Sequence, residues 1–137
     1  MNIQYRHISW LLSLLCLCVI LEGCGKHEGF TTTPVQGTVT CNGTPLTGGT
    51  IVFSPIVTKS ANPGQPAASA IGPDGTFNLT TYQDGDGAIV GTHSVSILPP
   101  PATDDSKQPK FPCVDASVEV EVKAGHNESM KIELSGS

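Results

Sequence analysis

Arginine is nearly missing from this chain: Arg6 is the only one among 137 residues, and Lys and Arg together number 7 against 12 Asp and Glu. With a formal net charge of -5 and no run of basic side chains, nothing is in place to neutralise a phosphate backbone, which argues against a nucleic-acid partner. Tryptophan is limited to Trp10, and aromatics make up 5% of the residues, too few for a flat platform on which sugars or bases stack. No two cysteines are spaced C-x-x-C, so thiol redox catalysis is not indicated. A G-x-S-x-G segment is also missing, which argues against a serine-hydrolase elbow. Glycine follows no fixed period, which excludes a collagen-like repeat. At this length one core is expected rather than two domains.

What the chain does have is glycine and proline, 15 and 11 residues, set between short runs rich in Val, Ile and Thr. That composition suits an all-β domain with many turns. Val35, Gly37, Val39 and Cys41 alternate with polar neighbours, which predicts a first strand with one apolar face. Asn42-Gly43, both tolerant of positive φ, predicts a tight turn. Thr50 to Pro55, with Ile51 and Phe53 on one face, is expected to lie beside the first strand. Ala67 to Ile71 and Phe77 to Thr81 flank Pro73-Asp74-Gly75, which predicts a hairpin. His93, Val95 and Ile97 share a face of the next strand, which Pro99-Pro100-Pro101 stops. Val118, Val120 and Val122, then Met130, Ile132 and Leu134, joined across Ala124 to Asn127, predict a closing hairpin. Segments 58–66, 83–92 and 99–115 are expected as connections. About seven strands, each with one apolar face, fit two antiparallel sheets packed face to face.

The N-terminal two dozen residues follow another grammar. Arg6 and His7 precede an apolar run from Ile8 to Leu21. It is too short to cross a bilayer, which takes roughly 20 apolar residues, and it matches the hydrophobic stretch of an export signal. Leu21-Glu22-Gly23-Cys24 then resembles the bacterial lipobox, with Leu three residues before the cysteine and a small residue directly before it, although Glu22 departs from the usual small or apolar residue. The resemblance implies cleavage before Cys24, a diacylglyceryl group on its thiol and a further acyl chain on the new amino group. Two or three acyl chains, at about 0.8 kcal/mol per buried methylene, hold a protein to a membrane far more firmly than one. Gly25, rather than Asp, after the cysteine favours the outer membrane by likeness to enterobacterial sorting. The expected division is a signal peptide over 1–23, a Gly/Thr-rich flexible tether over 24–34 and a β domain over 35–137. A chain cut there keeps no arginine and no tryptophan, with Phe30, Phe53, Phe77, Tyr82 and Phe111 as its aromatics.

Three stretches carry a family likeness: V-Q-G-T-V-T-C-N-G-T-P-L-T-G-G-T-I-V-F-S-P from Val35, G-P-D-G-T-F-N-L-T-T from Gly72, and D-G-A-I-V-G-T-H-S-V-S-I from Asp86. With the terminal strand pair they make residues 34–134 resemble the small transthyretin-like or carboxypeptidase regulatory-like domain of lipoproteins from planctomycete-type bacteria. The resemblance implies an all-β fold: a seven-stranded antiparallel Greek-key β-sandwich, transthyretin-like or immunoglobulin-like. It further implies a non-catalytic accessory or adhesion-like module without a common ligand. His93 stands where such domains usually carry Tyr.

Few residues are candidates for chemistry. Asp84-Gly85-Asp86-Gly87 resembles part of a calcium loop. Calcium takes six to eight oxygens, and this segment lacks a third side-chain ligand and a closing Glu, so Asp84 and Asp86 are weak metal candidates beside a reading as a glycine-rich turn. Asp74 belongs to the opposite end of the intervening strand. His27 and Glu28 have no partner at ligand spacing. Cys41 and Cys113 are the cysteines left once Cys16 and Cys18 go with the signal and Cys24 takes lipid; in an oxidising compartment they close one disulfide or stay as two free thiols. No catalytic residue and no cofactor is expected, since His93 and His126 lack an evident partner for acid–base work. The expected function is that of a non-enzymatic lipoprotein, a structural or protein-binding module at the bacterial cell envelope, facing periplasm or cell surface. Its expected partners are the membrane, through Cys24, and an envelope protein or glycan. The alternatives are carbohydrate- or calcium-dependent binding in the loops at one end, or hydrolysis by a transthyretin-like enzyme. The site of that enzyme family uses histidines and an arginine with a Tyr-Arg-Gly-Ser terminus, whereas this chain ends Glu133-Leu134-Ser135-Gly136-Ser137.

Overall fold

The computed structural model describes residues 30–57, 63–102, 110–125 and 127–136. The export run, Cys24, His27, Glu28, Asp104, Asp105, Lys107 and His126 lie outside the described residues. Within them the chain is all β, with strands β1 (Thr32–Thr33), β2 (Val35–Cys41), β3 (Thr44–Pro45), β4 (Thr50–Pro55), β5 (Ala67–Ala70), β6 (Thr76–Asn78), β7 (Ala88–Ile89), β8 (Gly91–Leu98), β9 (Val118–Val122) and β10 (Asn127–Leu134). One four-stranded sheet places β10 on one edge of β2, with β6 and β3 in succession along the other. The second runs in the order β5-β4-β8-β9, and β1 with β7 forms a separate two-stranded ribbon.

Period-two alternation decides what is buried. In β8 the residues His93, Val95 and Ile97 point inward while Thr92 and Leu98 are exposed. In β2, Val35 and Val39 are fully buried beside exposed Gln36 and Thr38. Val35, Val39, Phe77, Ile132 and Leu134 from the first sheet meet Ile51, Phe53, Val95, Ile97 and Val122 from the second in one cluster. The rings of Phe53 and Phe77 lie 5.9 Å apart across it. Burying each such side chain contributes about 1.5–3 kcal/mol, the main favourable term of the fold.

Each of the seven expected strands has a counterpart, although the one expected over Phe77 to Thr81 is confined to Thr76–Asn78 and β7 falls inside the expected connection 83–92; the pairing departs from expectation in four places. The turn at Asn42 (φ 50) and Gly43 (φ 80) does make a hairpin, with β3 rather than with β4 as its second arm. Pro45 lacks the N–H that would extend the ladder, and Gly48 and Gly49, both at φ 78, swing the chain into the other sheet. The turn over residues 72–75 is closed by Gly75 N–H donating to Gly72 O at 3.1 Å, yet its arms separate. β5 pairs with β4 and β6 with β2, leaving a lone bridge between Ala68 and Thr80. Ala67 and Phe77 thereby cover the core from opposite sides.

The closing hairpin is likewise a corner. β9 pairs antiparallel with β8, whereas β10 runs parallel to β2, so the first sheet is mixed rather than antiparallel. A parallel pair needs a long connection, which β2 and β10 have because almost the whole domain lies between them. Finally, Thr32 and Thr33 belong to the folded unit rather than to a tether ending at residue 34. They pair with Ala88 and Ile89, and the Thr33 hydroxyl, buried, donates to Gly125 O at 3.0 Å and accepts from Gly125 N–H at 3.3 Å.

Candidate functional site

The acidic turn after Thr80 is built around one carboxylate. Asp86 accepts the N–H groups of Thr81 at 2.7 Å, Tyr82 at 3.0 Å and Gln83 at 3.2 Å. Charged acceptors make the stronger hydrogen bonds, so both Asp86 oxygens are committed to holding the loop. The hydroxyls complete it: Gly85 N–H donates to Thr80 Oγ1 at 3.0 Å, and Thr81 Oγ1 donates to Gly87 O at 2.7 Å. Gly87, at φ 84, packs against the Thr33 carbonyl so closely that a Cβ there would overlap it. Asp84 is exposed on the outside of this turn. Asp74 sits in the turn whose Gly75 carbonyl takes the Val39 N–H, while Gly87 lies over Thr33. The two acidic turns therefore stand at opposite ends of β2, and no group of three or more metal-binding side chains occurs among the described residues.

His93 is a core residue. Its side chain is 1% exposed, 6.0 Å from the Phe53 ring, with Nε2 2.7 Å from the Ile89 carbonyl oxygen. A carbonyl only accepts, so Nε2 carries the proton and the imidazole is held in one tautomer. Among the described residues Nδ1 has no partner. The imidazole thus pins the β7 carbonyl to the base of β8 instead of facing solvent as a base.

Cys41 and Cys113 are joined, with their Cα atoms 6.0 Å apart and 72 residues between them in sequence. Cys113 is buried and has φ 56, a left-handed conformation uncommon outside glycine. Over this bond lies a clamp that sequence reasoning missed. The Asn42 amide donates from Nδ2 to Gly136 O at 2.7 Å and accepts at Oδ1 from Gly136 N–H at 3.3 Å. Asn42 reads as a turn residue, and nothing local signals a partner 94 positions away. Asn127 was missed in the same way: it closes the corner between β9 and β10 by donating to Lys123 O at 2.6 Å and accepting from Lys123 N–H at 3.2 Å. Beside that corner, Glu128 and Ser129 bulge out of register with β2, leaving an open groove of about 350 Å³ floored by Gly37 and Phe77.

No family model matches the chain, and no curated protein matches it. Among solved structures it is similar to a DUF3823 family protein from Parabacteroides merdae ATCC 43184, at 17% sequence identity and a TM-score of 0.46. The match covers 79% of this chain and 47% of that one, so the chain spans about half the length of that protein.

Proposed function

We propose that the chain is an exported bacterial lipoprotein, anchored through acyl chains on Cys24, whose β domain is a non-enzymatic structural or protein-binding module at the cell envelope. We read its two sheets as the faces of a sandwich of the carboxypeptidase regulatory-like kind. The observation that carries the reading is how close in sequence the first described strand lies to Cys24. β1 starts at Thr32, so only seven residues separate it from Cys24, and a lipid on that cysteine would hold the domain directly at a membrane. The polar groups nominated for chemistry support the same reading by what they already do: Asp86 holds a turn and His93 holds a strand junction. The joined pair Cys41 and Cys113 suits an oxidising compartment outside the cytoplasm.

The test is mass analysis of the mature chain from a bacterial host. It is expected to begin at Cys24, with a diacylglyceryl thioether. Cys24→Ser is expected to accumulate as the longer precursor without acyl label. A mature chain bearing an unmodified Cys24, or normal cutting of the serine variant, would overturn the reading.

A further inference from the structure

Five large apolar side chains are exposed among the described residues: Phe30 (38%), Val57 (42%), Tyr82 (42%), Val90 (40%) and Leu98 (54%). Singly exposed apolar residues are ordinary; their placement here is not scattered. Phe30 lies two residues before the start of β1, Val57 follows the end of β4, and Val90 lies between β7 and the start of β8. Backbone bonds draw these three together. Val90 N–H donates to Thr31 O at 3.4 Å, and Ile56 N–H donates to Thr92 O at 2.9 Å. The Phe30 ring and the Ile89 side chain both flank Gly64. Tyr82 stands on the adjoining turn, which Gly87 seats against Thr33. Four of the five therefore crown one end of the domain, and Leu98 alone sits at the other, where Gly49 meets the Leu98 carbonyl and the Phe111 ring.

That crowned end is also where the chain arrives from Cys24. Cys24 precedes Phe30 by six residues, a reach of at most about 20 Å. We infer that this end docks on the lipid bilayer itself, with Phe30, Val57, Val90 and Tyr82 entering the headgroup region and the Leu98 end pointing away. The inference rests on the lipid anchor proposed above. Tyrosine, with an apolar ring and a polar tip, favours such an interface. Asp84 and Glu128 are exposed near this end, and Lys123 is matched with Glu121 at 3.9 Å. Among the described residues, therefore, apolar contact under a short tether rather than attraction to anionic headgroups is what seats it.

Tyr82 offers the readout, since no other tyrosine and no tryptophan lies beyond residue 23. The lipidated chain would be reconstituted in vesicles of phosphatidylethanolamine and phosphatidylglycerol, with and without bromine-labelled acyl chains. Tyr82 emission is expected to be quenched by the bromolipid and to lose acrylamide quenching severalfold, and Val57→Asp with Val90→Asp is expected to restore acrylamide access. A tryptophan placed by Leu98→Trp is expected to stay open to acrylamide and untouched by bromolipid. A chain that floats with the vesicles while Tyr82 remains open to acrylamide would overturn the docking and leave the anchor standing, with the patch then free for a protein partner. Failure to float would overturn the anchor, and the docking with it.

Discussion

Asp86 and Asp84 are two residues apart and chemically identical, yet the fold uses them differently. Asp86 gathers three backbone N–H groups, while Asp84 faces solvent. Asp86→Ala is expected to lower stability by about 1–3 kcal/mol, because the amides lose a charged acceptor. Asp84→Ala should stay within about 0.5 kcal/mol, as surface changes usually do. Urea unfolding of the two variants checks the difference, and equal losses would refute this account of the turn. Asp-Gly repeats mark a turn in any sequence, but which carboxylate folds back on the amides depends on loop geometry that spacing does not encode. His93 shows the same limit. Alternation assigns it correctly to the face of Val95 and Ile97; its depth depends on the second sheet closing over that face.

At the scale of elements, the strands were legible and their partners were not. Val118 to Val122 and Met130 to Leu134 alternate plainly, and each buries its apolar face. A short connection between two alternating runs ordinarily makes a hairpin. Here the same connection turns the chain from one sheet into the other, and the Asn127 side chain holds the bend through the backbone N–H and carbonyl of Lys123. Asn127→Ala is therefore expected to cost about 1–2 kcal/mol, with Glu128→Ala, one residue on and exposed, near neutral. Thermal unfolding compares them; an indifferent Asn127→Ala would show that the corner stands without its clasp. The 72–75 turn behaves alike, because Ala67 and Phe77 reach the core from different sheets.

For the whole molecule, the bond between Cys41 and Cys113 closes a span of 72 residues. In the chain-entropy picture, loss of such a loop costs about 4 kcal/mol, so Cys41→Ala with Cys113→Ala is expected to lower the urea midpoint markedly. Thiol titration of the unreduced, denatured mature chain should find neither cysteine free; two titratable thiols would contradict the bond. Residue order alone determined the all-β class, the approximate positions of the longer strands and their inward faces, because each follows from periodicity and turn chemistry within a few residues. Only the tertiary structure decided that β10 lies parallel on β2, that two apparent hairpins are corners, that Thr32 and Thr33 join the domain, and that four exposed apolar side chains, Phe30 among them, gather at one end. Those outcomes depend on contacts between segments far apart in the chain, made when two apolar faces close over one core, and local pattern carries no record of which segments will meet.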